Sequence, residues 1–310
     1  MHIFHKRDAT RLLIRLRNTV CSTTRHLLTS DSGLVLDGPV PGASVGQAGS
    51  ELRMALLGSA VRVAKIGSAD AMQREHNVAL LLAEWAPGFP TVMHGVQCIH
   101  LPRGDGDSLR AALVMPPYAM TLAEASLALP EGASFARNLL SLNTALCGAA
   151  AVAAFAASSQ AHGDVKPQNL MLDGSGLVVL IDFGTAREVG KWFAEESKYG
   201  LDAPGPAGVA YDLVCLAATL AYVQHGVDVS VCTCCSALSS ILSEQPALNR
   251  PPASAVAALC LSGASLEDVR ALLVELLDSE AGMGAGQGVC WRDVAGVVDL
   301  NRVWPLQARA

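Results

Sequence analysis

Residues 162–187 read HGDVKPQNLMLDGSGLVVLIDFGTAR. Two short apolar runs, 170–172 and 177–181, flank Asp173-Gly174-Ser175-Gly176. A Gly-rich four-residue link between apolar runs signals a β-hairpin. Antiparallel strands bring the chain back to where it began. Asn169, before the first run, and Asp182, after the second, therefore fall at the same end. Two hard oxygen donors converging there suit Mg²⁺. Asp164 lies on the loop leading in, five residues before Asn169, and is placed to orient an attacking hydroxyl. Lys166, one of only five lysines in the chain, sits between them.

These residues resemble the protein kinase superfamily. HGDVKPQN (162–169) is similar to the catalytic loop H-R-D-x-K-x-x-N, and IDFG (181–184) to the D-F-G segment. A lysine two residues after the aspartate is the Ser/Thr-kinase form. The resemblance implies an α+β, bilobal protein-kinase-like fold. A small β-rich N-lobe with one key helix would span 33–115, and a larger, mainly helical C-lobe 116–305, after a basic tail over 1–32. It also implies ATP and Mg²⁺ as cofactors and protein substrates with Ser/Thr acceptors. Asp164 would be the base and Lys166 would steady the γ-phosphate, while Asn169 and Asp182 would hold Mg²⁺.

Further pieces follow in the family's order. Val63-Ala64-Lys65 resembles the strand whose lysine holds the nucleotide's α/β-phosphates. Residues 52–57 and 60–66 read as strands split by Gly58-Ser59, and 70–85 as a helix with Met72, Glu75, Val78, Leu81, Leu82 and Trp85 at helical spacing. Glu75 on that helix would pair with Lys65, with Glu84 as the competing choice. SVGQAGSE (44–51) keeps Gly46 and Gly49 of a G-x-G-x-x-G phosphate loop and has Ser44 at the first glycine position. LVMPPY (113–118) would meet the adenine around Met115, with two prolines lacking N–H donors. AYDLVCLAATLAY (210–222) resembles the central buried helix of the large lobe, with Asp212 bracing the catalytic loop. Asn249-Arg250-Pro251-Pro252 resembles the late R-P segment. The similarity covers roughly residues 33 to 275.

There are departures. Gly163 stands where the family has an arginine that answers a phosphorylated activation loop, which puts control by such phosphorylation in doubt. Ala203-Pro204-Gly205 lacks the glutamate of A-P-E, and the stretch from there to Asp212 is short. The hinge prolines and alanine-rich composition are loosely similar to the conserved herpesvirus protein kinases. Two rival readings stay open. Small-molecule phosphotransferases of the aminoglycoside and choline kinase type share HGD-x-x-x-x-N and IDFG; Lys166, Thr185-Ala186 and the R-P segment argue against them. An ATP-binding pseudokinase scaffold would explain the missing glycine, the altered A-P-E and the hinge prolines.

The bulk composition agrees with a folded, core-forming chain. Of 310 residues, 51% are hydrophobic and 16% charged, which excludes a disordered class. Residues 1–28 hold six Lys/Arg against Asp8, a net +5, so with −6 overall the remainder carries −11. A basic tail on an acidic body is an address, a nucleic-acid or membrane contact, or a solvated arm; we read it as the last, with neither membrane nor nucleic acid as partner. No feature dictates an oligomeric state. Nine cysteines without regular spacing, and no signal peptide, point to an intracellular setting, cytoplasm or nucleus (of a host cell if the protein is viral). Cys232-Thr-Cys-Cys235 has CxxC spacing but no second pair, so it reads as ordinary thiols. The apolar stretches 139–157 and 207–223 read as interior helices, the first with Leu139, Leu142, Leu146 and Val152 along one stripe.

Overall fold

The computed structural model describes residues 28–29, 33–40, 50–85, 90–102, 109–193, 197–203, 205–227, 229, 232, 234–243 and 251–278. Ser44, Gly46, Gly49 and Arg250 lie outside these residues. The fold is mixed α+β, with an antiparallel sheet and several helices.

Strands β3 (Glu51–Leu57) and β4 (Ala60–Ser68) turn on Gly58, whose φ of 60° is the left-handed region that glycine enters freely. They register Leu57 with Ala60 and Leu52 with Lys65. On one side β3 pairs with β2 (Leu34–Pro39), which pairs with β1 (Leu28–Thr29); on the other, β4 pairs with β6 (Arg110–Met115) and β6 with β5 (Gln97–His100). All these pairings are antiparallel.

Alternation along the strands decides what each face does. Leu34, Leu36, Ala55, Ala64, Ile66, Ala112 and Val114 close a small core on one face. The residues between them, Val63 and Lys65 on β4 and Leu113 and Met115 on β6, face the other way. There they meet helix α1 (Ala69–Trp85), which buries Met72, Glu75, Ala79 and Leu82. The approach is close: a Cβ at Gly67 would lie 3.1 Å from Met72 Cε.

β2 runs through a Gly- and Pro-bearing stretch that carries no clear strand signal in the sequence. Pairing to β3, with Leu34 and Leu36 in the core, makes LVLDGP a strand despite its poor β-formers, and the register shifts between Leu36 and Pro39.

The second half is built around two helices. α2 (Leu122–Leu127) is short; Thr121 and Glu124 cap its start reciprocally. α3 (Ser134–Ala157) packs against β10 (Val178–Leu180) and against α4 (Val209–His225). The expected apolar stripe on α3 is instead burial on every side from Ser141 to Phe155, Asn143 excepted. Alanine explains this, because its small side chain lets neighbours close in from all directions. At Gly148 a Cβ would come within 2.6 Å of Leu216 Cδ1 on α4. α3 alone among the described helices is long and apolar enough to cross a membrane, and 78% of its apolar window is buried inside the protein. Helices α5 (Cys235–Ser243), α6 (Pro252–Leu261) and α7 (Leu266–Asp278) complete this part.

The hairpin over 170–180 pairs β9 (Leu170–Leu172) with β10, registering Leu170 with Leu180. Asp173 Oδ1 closes the turn by accepting from the N–H groups of Ser175 and Leu177 at 2.7 and 3.0 Å. β7 (Met120–Thr121) adds a third strand, and β8 (Gln160–Ala161) pairs separately with β11 (Arg187–Glu188). Thr91 and Met93 hydrogen-bond to Leu180, which ties the chain ahead of β5 to the hairpin.

Candidate active site

The hairpin end gathers two polar clusters. The first joins elements far apart in sequence. Lys65 Nζ lies 2.6 Å from Glu75 Oε1 and 2.7 Å from Asp182 Oδ1. Glu84, the competing partner, is exposed on α1. Burial pushes the Lys65 ammonium towards its neutral form, but Asp182 and Glu75 outweigh it and raise its pKa. Burial raises Glu75, and Lys65 offsets part of that. Burial also pushes Asp182 upward, yet the attraction of Lys65 holds its carboxyl below the usual range. The Asp182 side chain remains 42% exposed, so it can still meet a ligand.

The second cluster is local. Asp164 Oδ2 takes Lys166 Nζ at 2.5 Å and Asn169 Nδ2 at 3.0 Å. Asn169 Nδ2 also donates to the Asp164 carbonyl at 2.9 Å. Both partners are acceptors, which fixes the amide nitrogen on that side and turns Oδ1 away. Asn169 also ties to the hairpin: the Ile181 N–H donates to its carbonyl at 2.9 Å. An amide oxygen and the Asp182 carboxylate are the hard donors that Mg²⁺ prefers, so the donor chemistry fits this ion.

Buried groups hold the two clusters in register. His162 Nε2 donates to the Ile181 carbonyl at 3.0 Å, and Nδ1 accepts the Asp164 N–H at 3.2 Å. One nitrogen donating and the other accepting is the neutral Nε2–H tautomer. Burial lowers the imidazole pKa, in keeping with that form. His162, Phe155 and Phe183 meet edge to face, with centroids 5.2 to 6.0 Å apart. Each such pair contributes about 1 kcal/mol beyond its buried area. Thr185 Oγ1 donates to the His162 carbonyl at 2.9 Å. Asp182 itself adopts φ 64°, a left-handed conformation that costs a non-glycine residue energy and that these contacts sustain.

Asp212, in the first turn of α4, accepts the N–H groups of His162 and Gly163 at 2.7 and 2.8 Å. Burial pushes its carboxyl up to about 7, against the pull of those two N–H groups. A folded pKa raised from 3.8 means that the native state holds a proton the unfolded chain has released. That contribution to stability is complete below 3.8 and is lost as pH rises through about 7. Asp212→Asn should flatten this limb. Denaturant titrations of both proteins from pH 4 to 8 check it; parallel curves would refute it.

The structure thus brings Lys65, Glu75, Asp164, Lys166, Asn169 and Asp182 to one region. Met115 ends β6 on the Lys65 face of the sheet, paired with Val63. Four further residues escaped sequence reasoning as site elements. Ser197 Oγ donates to Asp164 Oδ1 at 2.5 Å, and the Ser197 N–H donates to the Tyr211 hydroxyl at 2.9 Å. Phe193 packs against Tyr211, with ring centroids 4.7 Å apart. Thr185 bridges to His162. Only Thr185 carried a local signal, its place directly after IDFG. In comparisons with known proteins, the chain matches no protein-family model and no curated protein.

Proposed function

We propose that the protein is an ATP-dependent protein kinase that transfers the γ-phosphate to Ser/Thr hydroxyls of protein substrates. On this reading 33–115 form the N-lobe and 116–305 the C-lobe of a bilobal kinase-like fold, in an intracellular setting. The observation that carries the proposal is the meeting, at one hairpin end, of the Lys65–Glu75–Asp182 cluster with the Asp164–Lys166–Asn169 cluster. Phosphoryl transfer needs positioned charge more than covalent chemistry, and these residues supply it.

Each residue has a distinct task. Lys65, held by Glu75, binds the α/β-phosphates. Asp164 accepts the proton of the incoming hydroxyl. Lys166 sits on the other oxygen of the same carboxylate and steadies charge on the transferred group. Mg²⁺, when held by Asp182 and Asn169, would neutralise phosphate oxygens. Neutral His162 acts as a brace and leaves the base role to Asp164.

The test is incubation with γ-labelled ATP, Mg²⁺ and a mixed Ser/Thr protein substrate. Label on protein serine or threonine is expected. Label confined to a small-molecule acceptor would convert the reading to an aminoglycoside- or choline-kinase-like enzyme. Nucleotide binding with no labelled acceptor would make the protein a scaffold.

A further inference from the structure

Gly163 is more than a missing side chain. Its φ is 78°, and a Cβ there would overlap the Phe193 ring, 2.7 Å from Cδ1 and 2.9 Å from Cζ. The ring therefore occupies the space a side chain at 163 would need. Phe193 comes from the segment following IDFG, thirty residues further along the chain. Its other neighbour is Tyr211, at an interplanar angle of 42°. Tyr211 in turn lies against a second glycine: a Cβ at Gly200 would be 2.7 Å from Tyr211 Cε2.

The stack links three pieces of backbone. Gly163 belongs to the loop carrying Asp164. Gly200 and Ser197 belong to the segment whose serine hydroxyl touches Asp164. Tyr211 and Asp212 are adjacent in α4; one receives the Ser197 N–H, the other the Gly163 N–H. Phe193 spans the two sides, meeting Gly163 with one face of its surroundings and Tyr211 with the other.

We infer that Phe193 is a positioning residue: wedged between Gly163 and Tyr211, it holds residues 187–193 and 197–203 against the Asp164 loop by apolar packing, in place of a phosphate-dependent charge contact. This rests on the phosphotransferase reading. That reading implies that the segment must be placed for the acceptor hydroxyl to reach Asp164. A packed aromatic can provide the placement without any modification, and glycine at 163 is what makes room for it. The nucleotide-facing residues Lys65, Glu75 and Asp182 are not part of the stack, so its loss should fall on the acceptor and spare the nucleotide.

The experiment uses the full chain after phosphatase treatment, with ATP and a protein acceptor. Wild type should remain active. Phe193→Ala should lose about a hundredfold in kcat/KM for the acceptor, the scale expected when a reacting group is misplaced by about an ångström. Its KM for ATP should stay within about twofold of wild type. Phe193→Leu, which refills most of the gap, should recover most of the loss. Amide exchange gives a readout independent of activity: the Ser197 and Gly163 N–H groups should lose protection in Phe193→Ala and regain it in Phe193→Leu. Unchanged acceptor kinetics and unchanged protection in Phe193→Ala would overturn the inference, as would a loss shared equally by ATP and acceptor. Abolition of wild-type activity by phosphatase would overturn it too. If wild type transfers no phosphate to protein, the kinase reading fails, and exchange at Ser197 alone decides whether Phe193 holds the segment.

Discussion

Asp164→Asn should slow transfer to protein acceptors by a factor of about 10² to 10⁴ while nucleotide binding survives. The reason lies in the three donors around the carboxylate. Lys166 and Asn169 share Oδ2, and Ser197 takes Oδ1. A carboxylate serves all three because it only accepts. An amide has one oxygen; with it on Lys166 and Asn169, its NH₂ faces Ser197, whose hydroxyl must turn from donor to acceptor, so the substitution removes the proton acceptor and reverses that hydrogen bond. Lys65, Glu75 and Asp182 are untouched, which is why nucleotide should still bind. Single-turnover transfer from labelled ATP, run beside a nucleotide-binding titration, measures both effects. A variant within a few-fold of wild type would remove Asp164 from the role of base.

The second large effect is expected at Lys65. Its side chain is 14% exposed and that of Glu75 only 4%, so the ammonium is the main compensation for a buried carboxylate. Glu75 Oε2 has no hydrogen-bond partner, which leaves Oε1 and its lysine to carry that compensation. Removing one partner of a buried pair typically costs about 3 to 5 kcal/mol. Lys65→Met should approach that cost, and transfer should fall by about 10² to 10³ with the loss of a preorganised phosphate contact. The stability loss should depend on pH in a defined direction. Without Lys65, burial and the Asp182 charge both push Glu75 further upward. A raised folded pKa stabilises below the unfolded value and is lost as pH rises through the folded one. The variant should therefore be closest to wild type in mild acid and furthest from it in mild base. Denaturation midpoints at pH 5 and pH 8 decide this; an equal deficit at both would show that Glu75 does not titrate as described.

Much of this site was legible in the sequence because its residues are fixed by local rules. A DGSG link between apolar runs forces a hairpin, and a hairpin forces Asn169 and Asp182 to one end. Strand alternation put Lys65 opposite Ala64 and Ile66, and the helical stripe turned Glu75 inward. Strand β2 over 34–39 was not legible, because Asp37, Gly38 and Pro39 are poor strand formers and pairing with neighbouring strands is what makes the stretch a strand. Phe193 was hidden for a different reason. A glycine at 163 shows only that a side chain is missing, and what fills the space depends on the path of a segment thirty residues later. Ser197 was hidden likewise, because no spacing rule places its hydroxyl on Asp164. Asp212 stood between these cases: its brace role was implied by the family resemblance of 210–222 alone, while the two N–H groups it holds were set by tertiary structure.

The crowding of α3 against α4 has a mechanical consequence. Gly148 touches Leu216, one turn beyond Asp212 on the same rigid rod. The rod's leading turn grips the loop at His162 and Gly163 and the segment at Ser197. The seam between the two helices thus works as a fulcrum: a thickening there of a single methyl group would tilt the rod and swing its gripping end. The alanine-rich surface of α3 in this sense sets the spacing of the two helices, and a change in its thickness would be transmitted to the loop carrying Asp164.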